Sequence, residues 1–256
     1  MKLFRRIFFA AVLAGLAAGL AMSALQQWKV TPLILAAETY ENAAPAEAAA
    51  ADHTHPEGTA PHAHEEASAP AHEHDENAWA PQDGAERIFY TVLANILGCM
   101  GFALLLAAVS VLLGLPITAA NGVIWGIGGF VAFQLAPALG LAPELPGMPA
   151  AELGARQLWW WGTVLATGAG LLAVAKLRNW TGIGIAAILL LAPHIVGAPQ
   201  LTGDHASGVP AYLATEFAAA SLAAGALFWL TAGPILGWLN ELFARRESTA
   251  LKGAIA

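Results

Sequence analysis

The chain has 256 residues, of which 57% are hydrophobic and only 11% charged, with a net charge of −7. Ordinary soluble domains carry roughly 25% charge, so a mean hydropathy of +0.59 places this chain among membrane proteins and excludes a soluble α/β enzyme or a disordered regulator. One cysteine, Cys99, excludes an internal disulfide or a Cys-cluster metal site, and the acidic balance speaks against binding nucleic acid.

A helix crossing the bilayer core needs about 20 apolar residues, and six runs qualify in chain order. The first is Ile7–Leu25, preceded by Lys2, Arg5 and Arg6. It resembles a signal peptide, with Ala21-Met22-Ser23 as a cleavage site, but it outruns the usual 7–15 apolar residues, so an uncleaved anchor is expected. Its small residues Ala11, Gly15, Gly19 and Ser23 recur every four positions, which would let another helix approach closely. The others are Ile88–Leu113, about Ala119–Leu139 with Gly122, Gly126, Gly128 and Gly129, Gln157–Ala175, about Trp180–Gly197 and about Leu213–Leu239. Each is apolar on all sides, as for helices among lipid and other helices. The expected fold is an all-α integral membrane bundle of about six transmembrane helices with one long, disordered, outward-facing His-rich loop. It divides into an anchor helix at 1–28, an acidic His-rich loop at 29–87 and a five-helix bundle at 88–256.

Lys and Arg fix the expected orientation. With the N-terminus in the cytoplasm, Lys2, Arg5, Arg6, Lys176, Arg178, Arg245, Arg246 and Lys252 face inward, against Lys29, Arg87 and Arg156 outside. Both termini are then cytoplasmic, and loops 26–87, 140–156 and 198–212 face outward. Trp28 and Trp159–Trp161 fall at outer interfaces, and Trp125, Trp180 and Trp238 near inner ones, where indoles gather.

Twelve of the 18 acids and six of the eight histidines lie between Glu38 and Glu86. From Tyr40 to Pro81 the chain is mostly Ala, Glu, His and Pro, a composition that cannot bury enough surface to fold alone. Three His-x-His pairs stand there, His53/His55, His62/His64 and His72/His74, among Asp52, Glu57, Glu65, Glu66, Glu73, Asp75 and Glu76. On an extended backbone the two histidines of a pair point to one side, and imidazole with carboxylate suits Co²⁺, Ni²⁺ or Zn²⁺. Binding needs neutral imidazoles, so capture should weaken below about pH 6.5. A solvated spacer of biased composition is the plainer alternative.

Inside the spans, ionisable residues are costly and therefore functional candidates. His194 lies in Pro193-His194-Ile195-Val196-Gly197-Ala198-Pro199, near the outer end of a helix that the prolines should kink or stop. With Asp204 and His205 of the next loop and Glu216 of the last span, it could form an outer mouth for a divalent ion. The structural alternatives are a His194 bond to a carbonyl freed by Pro193, and Glu216 as a helix N-terminal cap. Asn95 and Cys99 share one face of the second span, and Asn121 and Gln134 lie in the third. They could line a path or bond between helices. No Walker loop, His-Glu-x-x-His or Gly-x-Ser-x-Gly stands in the chain, so nothing supports an enzyme, and ATP hydrolysis is not expected of it.

Phe4-Arg5-Arg6-Ile7-Phe8-Phe9-Ala10-Ala11-Val12-Leu13-Ala14-Gly15 with Leu25-Gln26-Gln27 and Pro32-Leu33-Ile34, then Gln157-Leu158-Trp159-Trp160-Trp161, Pro193 to Pro199, and Phe228-Trp229 form a set of stretches. Together they resemble the CbtA family of proposed bacterial cobalt transporter subunits. The resemblance implies cobalt uptake across the inner membrane for cobalamin synthesis, with a small single-span, His-containing partner, CbtB. It usually comes with about five spans rather than six. The expected function is therefore uptake of a divalent transition metal, Co²⁺ first, captured by the loop and drawn inward through a bundle loosened by glycines and prolines. Membrane potential favours a dication by about 4.6 kcal/mol per 100 mV, twice the single-charge figure. The alternatives are a non-transporting metal-binding receptor or scaffold, and a nickel or zinc permease. A homo-oligomer is left open.

Overall fold

The computed structural model describes residues 2–43, 79, 81–201 and 207–253. Those residues are overwhelmingly helical, with no strand among them. In order they form α1 (Lys2–Leu25), a π turn (Gln26–Val30), α2 (Thr31–Ala43), α3 (Ala85–Leu113), α4 (Gly122–Phe130), a second π turn (Val131–Leu135), α5 (Ala136–Ala138), α6 (Leu153–Leu177), α7 (Trp180–Val196) and α8 (Ala211–Gly253). Four helical runs are long and apolar enough to cross a membrane: Leu3–Tyr40, Ala85–Leu113, Leu153–Leu177 and Ala211–Thr249. Gly122–Ala138 and Trp180–Val196 are apolar but shorter. Composition and helices together make this a multi-pass membrane protein.

Two sequence-based boundaries shift. The first helix does not stop at Leu25 but continues through the π turn into α2, ending at Ala43. Hydropathy falls at Gln26, Gln27 and Lys29, yet no glycine stops the helix and Leu, Ala and Glu keep it going. The only breaker is Pro32. Its ring would crowd the carbonyl four residues back and it offers no N–H to that carbonyl. A widened turn ending two residues earlier absorbs both problems. The same arrangement recurs at Pro137, directly after Val131–Leu135. The third and fifth expected spans are present as 17-residue helices, about 25 Å long at 1.5 Å per residue, somewhat short of a core of about 30 Å.

The first long run stands antiparallel to the other three, which all end at the end of the bundle where it begins. α3 returns along α1, and the small-residue stripe of α1 makes that approach possible. A Cβ on Gly15 would meet the Met100 Cα at 2.5 Å, and one on Gly19 the Ile96 Cα at 2.9 Å, while Ala11 and Ser23 are buried. Farther along, Asn95 donates to Ser23 Oγ at 3.1 Å and to Gln26 Oε1. Asn95 and Cys99 thus join helices, Cys99 lying against the Met22 sulfur.

α8 is the axis of the bundle. It packs on α1 along one face and on α4 along another, with Trp229 and Leu236 fully buried. Gly122 and Gly126 abut the backbone of Gly233 and Trp229, and Gly129 receives the Trp229 ring. The glycines therefore tighten this contact rather than loosen the bundle. α6 and α7 form an antiparallel hairpin through Arg178 and Asn179. Arg178 takes φ 51°, and the Asn179 side chain caps α7 by accepting from Gly182 N at 2.9 Å.

The two ends of the bundle differ. At one end Arg6 pairs with Glu247 at 3.5 Å, Lys176 donates to the Leu113 carbonyl at 2.6 Å, and Arg178 and Arg245 stand nearby in sequence. This is the basic end. Gly114, at φ 62°, closes α3 there, with Leu115 N bonding Ser110 O and Gly114 N bonding Val111 O, a Schellman arrangement. At the opposite end, α2, the start of α8 and the loop after α5 share a second core of Val30, Ala37, Leu145, Val209, Leu213 and Phe217. Arg87 at the start of α3 reaches both Glu38 of α2 and Asp83.

Candidate functional site

Of the ten residues expected to take part in metal handling, His53, His55, His62, His64, His72, His74, Asp204 and His205 lie outside the described residues. His194 and Glu216 lie within them. Among the described residues no three histidine, cysteine or carboxylate side chains come together as metal ligands would.

His194 sits in the last turn of α7, after Pro193. Its Nδ1 is 2.8 Å from the Leu190 carbonyl and its Nε2 is 3.0 Å from the Ala136 carbonyl of α5. A ring N–H can donate to either carbonyl, and both nitrogens face carbonyls instead of open space. The carbonyl that Pro193 deprives of its N–H is that of Leu189, one residue earlier than the one His194 meets. Trp159 of α6 lies edge-on to the ring at 5.8 Å between centroids, and its Nε1 donates to the Pro193 carbonyl at 3.0 Å. His194 and Trp159 thereby tie α5, α6 and α7 into one corner.

Glu216 faces outward on α8. The helix begins at Ala211, so Glu216 lies beyond the first turn and is too deep to cap the N-terminus. Neither His194 nor Glu216 is among the residues lining the two clefts described next.

Those cavities were not legible as a site in the sequence. The inner cleft, about 410 Å³, is bounded by the second π turn, α6 and α8. Its polar side chains are Gln134, Glu144, Arg156, Gln157 and Ser221, beside Phe133 and Trp160. The outer cleft, about 540 Å³, lies between the loop after α5, Gln200 and Leu201, and Thr215 of α8. Both share Glu144 and Arg156, whose side chains pair at 2.6 Å and are about a quarter exposed. The acids Glu144 and Glu152 and the base Arg156 in a proline-rich loop beside an apolar span were the available cue.

α6 is started by Glu152, whose carboxylate accepts from Ala155 N and Gly154 N at 2.6 Å each. These two bonds hold the Glu152 carboxyl below its ordinary range, because the ionised form is the better acceptor. The cap thereby fixes where Arg156 and Gln157 enter the cleft.

Deeper in, Gln134 Oε1 is shielded from solvent and has no hydrogen-bond partner. Its carboxamide fills the space over Gly225, where a Cβ would collide with it. The sequence raised Gln134 either as a path-lining residue or as an interhelical bond. Its oxygen makes no such bond.

Comparison with known proteins gives one family. The description "Probable cobalt transporter subunit (CbtA)" belongs to the sequence profile that matches residues 4–241. No curated protein and no solved structure matches.

Proposed function

We propose, from the premise that this chain belongs to the CbtA family of probable cobalt transporter subunits, that it carries Co²⁺ inward across a bacterial inner membrane to supply cobalamin synthesis. The observation that carries this reading is the family match from residue 4 to residue 241, which covers most of each long apolar helix. Charge supports the direction. Arg6, Lys176, Arg178 and Arg245 gather at one end of the bundle, and a cytoplasmic basic end follows from the positive-inside bias. The acidic segment with six histidines then leaves from the opposite, extracytoplasmic face, beside the Arg87–Glu38 pair.

In this reading His53, His55, His62, His64, His72 and His74 collect the ion, and Asp204, His205 and Glu216 offer further ligands at the same face. The role of His194 is to brace α7 against α5, since its nitrogens already face two carbonyls. A single-span CbtB-like subunit completes the transporter. Nickel and zinc compete for the same borderline ligands.

Uptake of radiolabelled cobalt by cells with and without the protein tests the reading, with nickel and zinc as competitors. Uptake above background is expected at submicromolar metal, and replacing the six segment histidines by Ala should raise the half-saturating concentration. Absence of protein-dependent uptake would sink the transport role.

A further inference from the structure

We propose that α5, α6 and α7 move as one unit, rocking on the second π turn against a body made of α1–α4 and α8. The motion stands on packing alone. Its use, turning access from the outer end of the bundle to the basic end, rests on the transport reading.

Close contacts sort the helices into two groups. Gly15 and Gly19 set α1 against the α3 backbone, Gly122, Gly126 and Gly233 set α4 against the α8 backbone, and α1 packs along α8. In the other group, Gly170 and Gly182 bring α6 and α7 together at their backbones, and His194 ties α7 to the Ala136 carbonyl of α5. The fit between the groups is looser. A Cβ on Gly128 of α4 would meet only the tip of Leu171, at 3.8 Å. α6 reaches the second π turn, where the Phe133 ring lies between Trp229 of α8 and Trp160 of α6, at 5.7 Å and 6.2 Å between centroids. Among the described residues two side-chain bonds hold α6 to the body, one near each end. Lys176 donates to the Leu113 carbonyl. Arg156 pairs with Glu144, whose neighbour Leu145 is buried in the core shared with α2 and α8. Single contacts of this kind at a surface hold weakly.

The second π turn is the joint between the groups. α4 before it belongs to the body, and α5 after it belongs to the moving unit. A π turn interrupts the regular helical ladder and is found frequently at functional sites, and hinges are a few residues at the ends of elements. No hydrogen bond from the Gln134 oxygen fastens the turn to α8, and ring contacts at Phe133 carry no directional bond. Trp160, in the outer half of α6, is the fulcrum. A swing that closes the clefts beside Arg156 and Gln157 carries the far end of α6 away from the body and parts Lys176 from Leu113. The arrangement seen here is open at the outer end and latched at the basic end.

Two measurements on the full-length chain test this, both in a Cys99→Ser background. The first uses spin-label distances in metal-free protein in lipid nanodiscs. Phe4, Val123 and Trp180 are exposed at or near the basic ends of α1, α4 and α7. Labels at Phe4→Cys and Trp180→Cys should give two distances, and labels at Phe4→Cys and Val123→Cys, both on the body, one. Lys176→Met removes the latch and should raise the second population about fivefold, the worth of one hydrogen bond. The second measurement locks the joint. Gly128→Cys and Leu171→Cys bridged by a short bis-methanethiosulfonate should lose cobalt uptake, and reduction of the bridge should restore it. A single narrow distance for the α1–α7 pair that Lys176→Met leaves unchanged overturns the proposal, as does full uptake by the bridged protein. Absence of uptake by the unsubstituted chain sinks the transport reading instead, and the distances then decide the rocking motion on their own.

Discussion

Side chains no larger than a hydroxymethyl settle the contact between α1 and α3. Gly15 faces backbone, not a movable side chain, so the neighbour cannot give way. Gly15→Val should destabilise the protein by about 1–3 kcal/mol, the usual range for overpacking, read as a lower melting temperature in detergent. Trp159→Phe keeps an aromatic side chain but removes the indole N–H bond to the Pro193 carbonyl and the part of the ring that packs against Gly140. That carbonyl also accepts from Gly197 N at 3.0 Å, so it is not orphaned; the lost bond costs about 1 kcal/mol and the vacated ring space adds to it, read as a lower melting temperature. Glu152 gives a pH signature. Its carboxyl is held below the ordinary value of 4.5, so the stability it contributes is complete above that value and disappears as pH falls through the lowered one. Glu152→Ala should therefore melt earlier than the unsubstituted chain at pH 7, and the two should converge under acid. The sequence displayed the stripe of Gly15, Gly19 and Ser23 plainly, because small residues at four-residue spacing have one geometric use. It displayed His194 as a candidate ligand and could not display its partners, since the Ala136 carbonyl belongs to another helix and carries no residue-type signal.

At the level of helices, hydrophobic runs showed six segments because burial in lipid demands unbroken apolar length. They failed at the end of α1, where helix and apolar run part company: Glu38 and Glu41 are poor lipid residues but good helix formers. The π turns were hidden for a different reason. Pro32 and Pro137 read as kinks in isolation, and only the bundle determines that each is absorbed by a wider turn. The hairpin of α6 and α7 turns on two residues, one of them in the left-handed region. Asn179→Ala removes the cap on Gly182 N and should cost about 1 kcal/mol. Differential scanning of the purified variant checks it. The cleft was invisible from the chain because its polar side chains come from the second π turn, the loop after α5, α6 and α8, which no periodicity links.

Across the whole molecule, the two longest helical runs lie antiparallel. The Arg6–Glu247 pair joins them at the basic end, and Val30, Ala37, Leu213 and Phe217 share a core at the other. From Lys2 to Ala43 the first run covers about 63 Å at 1.5 Å per residue, twice a core of about 30 Å. With the basic end in the cytoplasm, α2 stands outside the bilayer. In a Cys99→Ser background, Leu35→Cys should react with a membrane-impermeant maleimide on intact cells. Ser248→Cys should react only after permeabilisation. The reverse labelling pattern would invert the orientation.

The two short helices, Gly122–Ala138 and Trp180–Val196, end beside the clefts, whose walls include Pro137 and Pro199. A helix shorter than the hydrocarbon slab draws the surrounding lipid inward. Lipid that follows these two helices makes the insulating layer slimmest beside the clefts, and there the membrane voltage drops over less distance.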